Sequence, residues 1–261
     1  MHHKKIKVVL FIVLFATGFH AYPQYNETIR SARPGQSFGP FTTGKSIFQV
    51  QTGFNINQIR YSDEDLNEHG FNYLMSLRYG ITETIEIRYA FRINRNKISV
   101  EDEELIANGL SAMVLGMRFN ILNNAGTYKP SIGFQANVNL NVLSPEFNPD
   151  NPEPALLLLH NQKLTHWLKL TTNWGIIWNG NNADAIGFYT INFSFPISNR
   201  IGGFVENYGD ISNRNLSTFF DTGIDYLINN DLLLDLSVGY GKNRGVRVSY
   251  IDFGVSWRIG L

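Results

Sequence analysis

The ten residues Ile85-Glu86-Ile87-Arg88-Tyr89-Ala90-Phe91-Arg92-Ile93-Asn94 decide the fold. Successive side chains of an extended strand point to opposite faces, so the isoleucines, Tyr89 and Phe91 share one face. Glu86, Arg88, Ala90, Arg92 and Asn94 share the other. The same two-residue period recurs along the chain. Phe48, Val50, Phe54 and Ile56 alternate with Gln49, Gln51, Gly53, Asn55 and Asn57. Ile132, Phe134, Ala136, Val138 and Leu140 alternate with Ser131, Gly133, Gln135, Asn137, Asn139 and Asn141. Near the end, Ile251, Phe253, Val255, Trp257 and Ile259 alternate with Asp252, Gly254, Ser256 and Arg258.

A soluble β-sandwich alternates too, but its strands usually span about 5 or 6 residues, and these runs are longer. In a membrane barrel the apolar face meets lipid and the polar face a hydrated lumen, with strands of roughly 9 to 11 residues. The expected fold is therefore all-β: a closed antiparallel transmembrane up-and-down β-barrel of about twelve strands. Closure is also a physical need, because an open sheet edge in hydrocarbon leaves N–H and C=O groups unpaired.

The strands are expected near 45–58, 69–80, 84–94, 108–121, 129–142, 154–164, 167–178, 185–195, 200–208, 217–227, 231–241 and 248–259. In 154–164 the run Leu156 to Leu159 is continuous, so its facing stays open. Short periplasmic turns are expected around 81–83, 123–128, 165–166, 196–199 and 228–230. Longer external loops are expected at 59–68, 95–107, 143–153, 179–184, 209–216 and 242–247, following the asymmetry of such barrels. Trp174, Trp178, Tyr208, Tyr226, Tyr240 and Trp257 fall near strand ends, where interfacial aromatic girdles belong.

Ahead of the strands, Met1 to Lys7 carries three lysines, Val8 to Phe15 is unbroken apolar sequence, and Ala16, Thr17 and Gly18 follow. This is the layout of a secretory signal peptide, residues 1–21, with cleavage expected between 18 and 24. Residues 22–43, with Arg33-Pro34, Gly35, Gly39 and Pro40, should form an irregular segment that is periplasmic or folded inward. The barrel occupies 44–261.

Composition agrees with this reading. The 261 residues are 13% aromatic and only 17% charged, against roughly 25% charged in an average soluble protein. Beyond the N-terminus no stretch approaches the roughly 20 apolar residues of a membrane helix. Cysteine is absent. The 22 basic and 22 acidic residues offer no electrostatic case for a nucleic-acid partner. Loss of Lys4, Lys5 and Lys7 with the signal would leave a net charge of about −3.

With the apolar positions on lipid, the inward charges can be named. Arg78, Glu86, Arg88, Arg92 and Arg118 come from the second to fourth strands. Glu206, Asp221, Asp225, Asp235, Asp252 and Arg258 come from the ninth to twelfth. The third and ninth strands are opposite in a ring of twelve, so a basic wall should face an acidic one. Two consequences are open: a transverse field that tunes selectivity of a pore, or Arg–Asp pairing that fills the lumen.

Arg33-Pro34-Gly35-Gln36-Ser37, Gly44-Lys45 and Phe48-Gln49-Val50-Gln51-Thr52-Gly53-Phe54 form one set of blocks. Arg78-Tyr79-Gly80-Ile81-Thr82-Glu83 leads into the opening stretch, and Leu115-Gly116-Met117-Arg118-Phe119 follows it. With Phe204-Val205-Glu206-Asn207-Tyr208-Gly209 and Asp235-Leu236-Ser237-Val238-Gly239-Tyr240-Gly241, these blocks resemble an outer-membrane transporter family labelled by the meta-pathway of phenol degradation. Gln51 stands where the family often shows Glu, and Ala112 where it commonly shows Asp. The resemblance implies a barrel in the outer membrane of a Gram-negative bacterium and a link to uptake of aromatic compounds. Its partners would be outer-membrane lipids, the barrel-insertion machinery and a small-molecule solute, with no cofactor and an open oligomeric state.

Some barrels of this size are lipases, deacylases or proteases. A Ser–His arrangement needs a serine oxygen within reach of an imidazole and a third orienting group. His69 lies near Ser62, Asp63 and Asp65 in an expected external loop, His160 has no serine on its strand, and His166 sits in a turn. The three histidines lack metal-ligand spacing. Passive passage is the expected function. A lipid-modifying enzyme and a non-transporting structural barrel are the alternatives.

Overall fold

The computed structural model describes residues 27–61, 66–100, 103–124, 126, 128–182, 184–212, 215–243 and 245–260. The expected signal peptide lies outside these residues, as do Ser62, Asp63 and Asp65.

Twelve strands form: β1 (Ile47–Tyr61), β2 (Leu66–Gly80), β3 (Ile85–Val100), β4 (Glu103–Leu122), β5 (Pro130–Asn139), β6 (Glu153–Lys163), β7 (Lys169–Trp178), β8 (Ala185–Pro196), β9 (Ile201–Ser212), β10 (Asn215–Asn229), β11 (Leu232–Asn243) and β12 (Val246–Gly260). Each pairs antiparallel with its sequence neighbours, and β12 closes on β1 with Gly53 opposite Gly254 and Asn55 opposite Asp252. No edge is left open, as hydrocarbon requires.

The alternation sets the two surfaces. Phe54, Ile56, Leu236, Val238, Ile251 and Phe253 stand out from the wall, each more than two-fifths exposed, which here means exposed to lipid. Gln49, Gln51, Ser76, Arg78, Glu86, Asp235, Ser237 and Ser256 are buried on the inner side. In β6 the facing left open by the leucine run is resolved. Leu156 and Leu158 face out, while Leu157 and Leu159 are buried against Phe38, Ile177 and Phe188. In β4 the two-residue count breaks at Ser111, where a bulge opposite Arg92 and Ile93 lets Leu110 resume the outward face.

Because Val238 lies mid-strand on the lipid face, Val238→Arg should destabilise the barrel by about 2–4 kcal/mol, the cost of a guanidinium near the bilayer midplane. Equilibrium urea unfolding in lipid vesicles measures it, and an unchanged midpoint would contradict the lipid-facing assignment.

Two expectations are corrected. The external connections are not generally longer than the periplasmic ones. Among the described residues only 140–152, with its 3-10 turn Pro145–Phe147, and 179–184 form external connections of any length, whereas β3 and β4 run on to Val100 and Glu103. The polar stretches expected as loops continue in register, Asn94 with Gly109 and Lys97 with Ile106. Ladder hydrogen bonds satisfy the backbone there as well as loop solvation would. Tyr208 is not a girdle residue. It shares the inward parity of Glu206, stacks on Phe219 and donates its hydroxyl to Tyr250 at 3.3 Å. Trp174, Tyr226, Tyr240 and Trp257 do face lipid.

Candidate functional site

Residues 27–46 do not lie outside the barrel mouth. Ile29 N–H donates to the carbonyl of Asn230 in the β10–β11 turn, and Arg258 donates to the carbonyl of Glu27. From that periplasmic end the segment rises into the lumen, crosses it and returns to Gly44. The positive φ of Gly44, 96°, turns the chain into β1 beside Gly80.

A chain without regular structure cannot satisfy its own backbone, so inside a barrel the wall must do it. Here it does. Arg78 donates to the carbonyls of Arg30 at 3.1 Å and Phe41 at 3.4 Å, and Arg118 to that of Phe41 at 3.1 Å. Asn120 donates to Pro40, and Gln49 to Arg30. Asn173 brackets Phe38, accepting its N–H at 2.7 Å and donating to its carbonyl at 2.8 Å. Glu206 accepts from Gln36 N–H at 2.8 Å and from the Ser37 hydroxyl at 2.5 Å. Glu86 accepts from Thr43 N–H at 2.8 Å. The ring of Phe38 rests on the inward leucines of β6, with the Arg88 and Arg118 guanidiniums over it at 5.5 and 5.7 Å.

The centre of the segment is Arg33. It pairs with Asp235 at 3.1 Å and with Asp252. Its guanidinium lies flat on the wall at Gly53 and Gly254, the facing pair of β1 and β12. A Cβ at Gly53 would meet it at 2.5 Å, and one at Gly254 would overlap it. Burial in the lumen works against the charge on Arg33, but the Asp235 and Asp252 carboxylates outweigh it and hold its pKa above the ordinary value. Burial pushes the Arg30 guanidinium down to about 10. Its guanidinium stacks on Phe41, 4.0 Å from the ring centre.

The inward charges named from sequence therefore divide. Arg78 and Glu86 pair with each other at 2.8 Å, both buried. Arg118 bonds Gln135 and the segment, and Arg88 bonds Ser76. Asp235, Asp252 and Glu206 meet the segment. Asp225 accepts from Gly202 N–H, Asp221 from the Tyr250 hydroxyl, and Arg258 pairs with Asp231 at the periplasmic rim. Arg92 is exposed to the lumen. Among the described residues no ion pair joins Arg78, Arg88, Arg92 or Arg118 directly to the acidic wall. The segment stands between the walls instead, turning its carbonyls to the basic side and Arg33, N–H groups and a hydroxyl to the acidic side.

Sequence reasoning passed over Arg33, Phe38, Asn173 and the pair Gly53–Gly254. The signal in the sequence was partial: Gly53 and Gly254 fall at inward positions of their alternating runs and Arg33 lies in an irregular leader, but only closure of β1 on β12 puts the two glycines in register. Of the histidines, His160 contacts Thr172 on the lipid side at 3.3 Å, and His69 contacts Gln58 at 3.4 Å.

A family model described as "Putative MetA-pathway of phenol degradation" matches residues 31–259. None of the curated proteins matches by sequence. Among solved structures, an outer membrane channel from Pseudomonas putida F1 is 9% identical, with a TM-score of 0.70, 88% of this chain covered and 100% of that one. The translocator domain of the autotransporter NalP from Neisseria meningitidis is 13% identical, with a TM-score of 0.54 and coverage of 83% and 89%. The KdgM porin in complex with disordered oligogalacturonate is 12% identical, with a TM-score of 0.54 and coverage of 79% and 98%. At such identities the likeness is one of fold.

Proposed function

The chain belongs to the MetA-pathway phenol-degradation family, and from that premise we propose that it is a passive outer-membrane channel for small molecules, narrowed by its own N-terminal segment. The observation that carries this is the lumen itself. A structural barrel of twelve strands could close its core with apolar side chains, yet this one lines it with carboxylates, guanidiniums and amides. Those groups need either water or partners. The segment supplies partners at one level of the lumen, and Arg92 is exposed beyond it.

Outer-membrane lipids surround the apolar exterior, and the barrel-insertion machinery would deliver the chain there after removal of residues 1–21. The segment from 27 to 43 acts as a plug in this reading. Aromatic compounds, the class in the family's label, are candidate solutes. Passage is favoured over catalysis because, among the described residues, the hydrogen-bond contacts of His69 and His160 are an amide and a threonine rather than a carboxylate.

The test is solute entry into liposomes carrying the purified chain, beside liposomes carrying a chain that lacks residues 27–43. Entry above protein-free liposomes, faster in the deletion, is expected. No entry with either would overturn the channel reading.

A further inference from the structure

Above the Arg33 contact, on its extracellular side, two cross-strand rows of the inner wall have an unusual make-up. The first runs Asp252–Asn55–Asn72–Asn94 across β12, β1, β2 and β3. The second runs Asp221–Gly239–Tyr250–Asn57–Gly70–Asn96 across β10, β11, β12, β1, β2 and β3. The Nδ2 groups of Asn57 and Asn72 both donate to Asn55 Oδ1 at 3.1 Å, which orients the two amides and leaves their own oxygens over. The side-chain oxygens of Asn57, Asn72, Asn94 and Asn96 have no hydrogen-bond partner among the described residues. Asp221, 5% exposed, uses Oδ2 to accept from Tyr250 at 2.7 Å, and its Oδ1 has no partner either.

All of these are acceptors. Unpartnered acceptors at one level of a wall favour a solute rich in O–H donors and penalise one that has none, since each oxygen then stays desolvated and unpaired. Beside them is a flat apolar surface. A Cβ on Gly239 would overlap the Tyr250 ring, so that ring packs against the glycine on the inner wall and stays partly exposed. Ring faces of this kind stack on the apolar face of another ring. Directly below is Arg33, whose partner Asp252 belongs to the first row.

We propose that these two rows form a binding site for a neutral ring solute carrying several hydroxyl groups, with its face on Tyr250 and its hydroxyls on Asn57, Asn96 and Asp221. The proposal rests on the channel reading for how solute reaches the site. The shared chemistry is a hydroxylated ring, which a monosaccharide and a catechol both supply. An unsubstituted aromatic hydrocarbon does not fit, because it stacks but leaves the acceptors bare.

Saturation-transfer NMR titration of the purified full chain in detergent micelles with D-glucose, catechol and toluene tests the site. Saturable binding of glucose or catechol is expected, and which of them binds more tightly identifies the source. Asn57→Ala with Asn96→Ala should weaken it about tenfold, the effect of two hydrogen bonds lost together. Asn57→Ser with Asn96→Ser is titrated in parallel, so that a folding failure in one pair, seen as lost heat-modifiable gel mobility, leaves the other to decide. Toluene binding as tightly as the hydroxylated rings, or affinities unchanged in a folded variant, would overturn the site. Liposome entry separates the two readings. Solute entry without saturable binding defeats the site alone, and saturable binding without entry, even in the segment deletion, defeats the channel alone.

Discussion

Deleting residues 27–43 should raise steady conductance in planar bilayers several-fold over the intact chain. The segment reaches nearly every strand of the ring, from Ser256 on β12 through Asp235, Glu206, Thr190, Asn173 and Asn120 to Glu86 on β3. It therefore spans the lumen rather than lining one side. The barrel itself should survive, because its closure depends on strand pairing between β1 and β12, which starts at Ile47. Glu206 and the pair Asp235–Asp252, left facing water in the deletion, should bias the larger current toward cations. Recording ion currents in a salt gradient gives both the conductance and the sign of selectivity. An unchanged conductance with a folded barrel would remove the plug from the proposed function.

Arg33→Met should release the same segment without removing it. Asp235 has a fully buried side chain and Asp252 is one-fifth exposed, so losing their shared cation leaves two like charges adjacent in the lumen. Breaking a buried pair by removing one partner typically costs about 3–5 kcal/mol, enough to favour a segment detached from the wall and carboxylates exposed to water. Protease cleavage within residues 27–43 should become rapid, while heat-modifiable mobility of the barrel is retained. Adding Asp235→Asn and Asp252→Asn to Arg33→Met should recover much of the protection, since no charge then remains uncompensated. A non-additive cycle is the expected signature. Equal protease resistance in Arg33→Met and the parent would show that the carbonyl contacts of Arg78, Arg118 and Asn173 hold the segment by themselves.

The legible part of this protein is its wall. Alternation in Ile85–Asn94 and its counterparts located all twelve strands, with only the outer ends of β3 and β4 missed by more than four residues, because a strand with lipid on one side and polar lumen on the other must repeat every two residues. Where both faces are apolar the period vanishes, and β6 is the example. Leu157 and Leu159 are apolar because Phe38, more than a hundred residues earlier, needs a cover, and nothing local in the leucine run says so. The extent of the hairpins was misread for a related reason, since Asp-, Glu- and Asn-rich sequence suits either a loop or an exposed ladder.

The inward set of charges could also be listed from parity alone, but not what each one does. Parity says that Asp235, Asp252, Arg78 and Glu86 share the lumen. It does not say that Arg78 takes Glu86 on the neighbouring strand, or that the acidic side takes its cation from the leader. Sequence by itself determined an all-β barrel and its strand order, because those follow from a local two-residue rule. Only the tertiary structure decided that residues 27–46 enter the lumen and that Arg33 rests on Gly53 and Gly254. That choice depends on closure of β1 on β12, which brings positions about two hundred residues apart to one row and leaves a side-chain-free space that the Arg33 guanidinium fills.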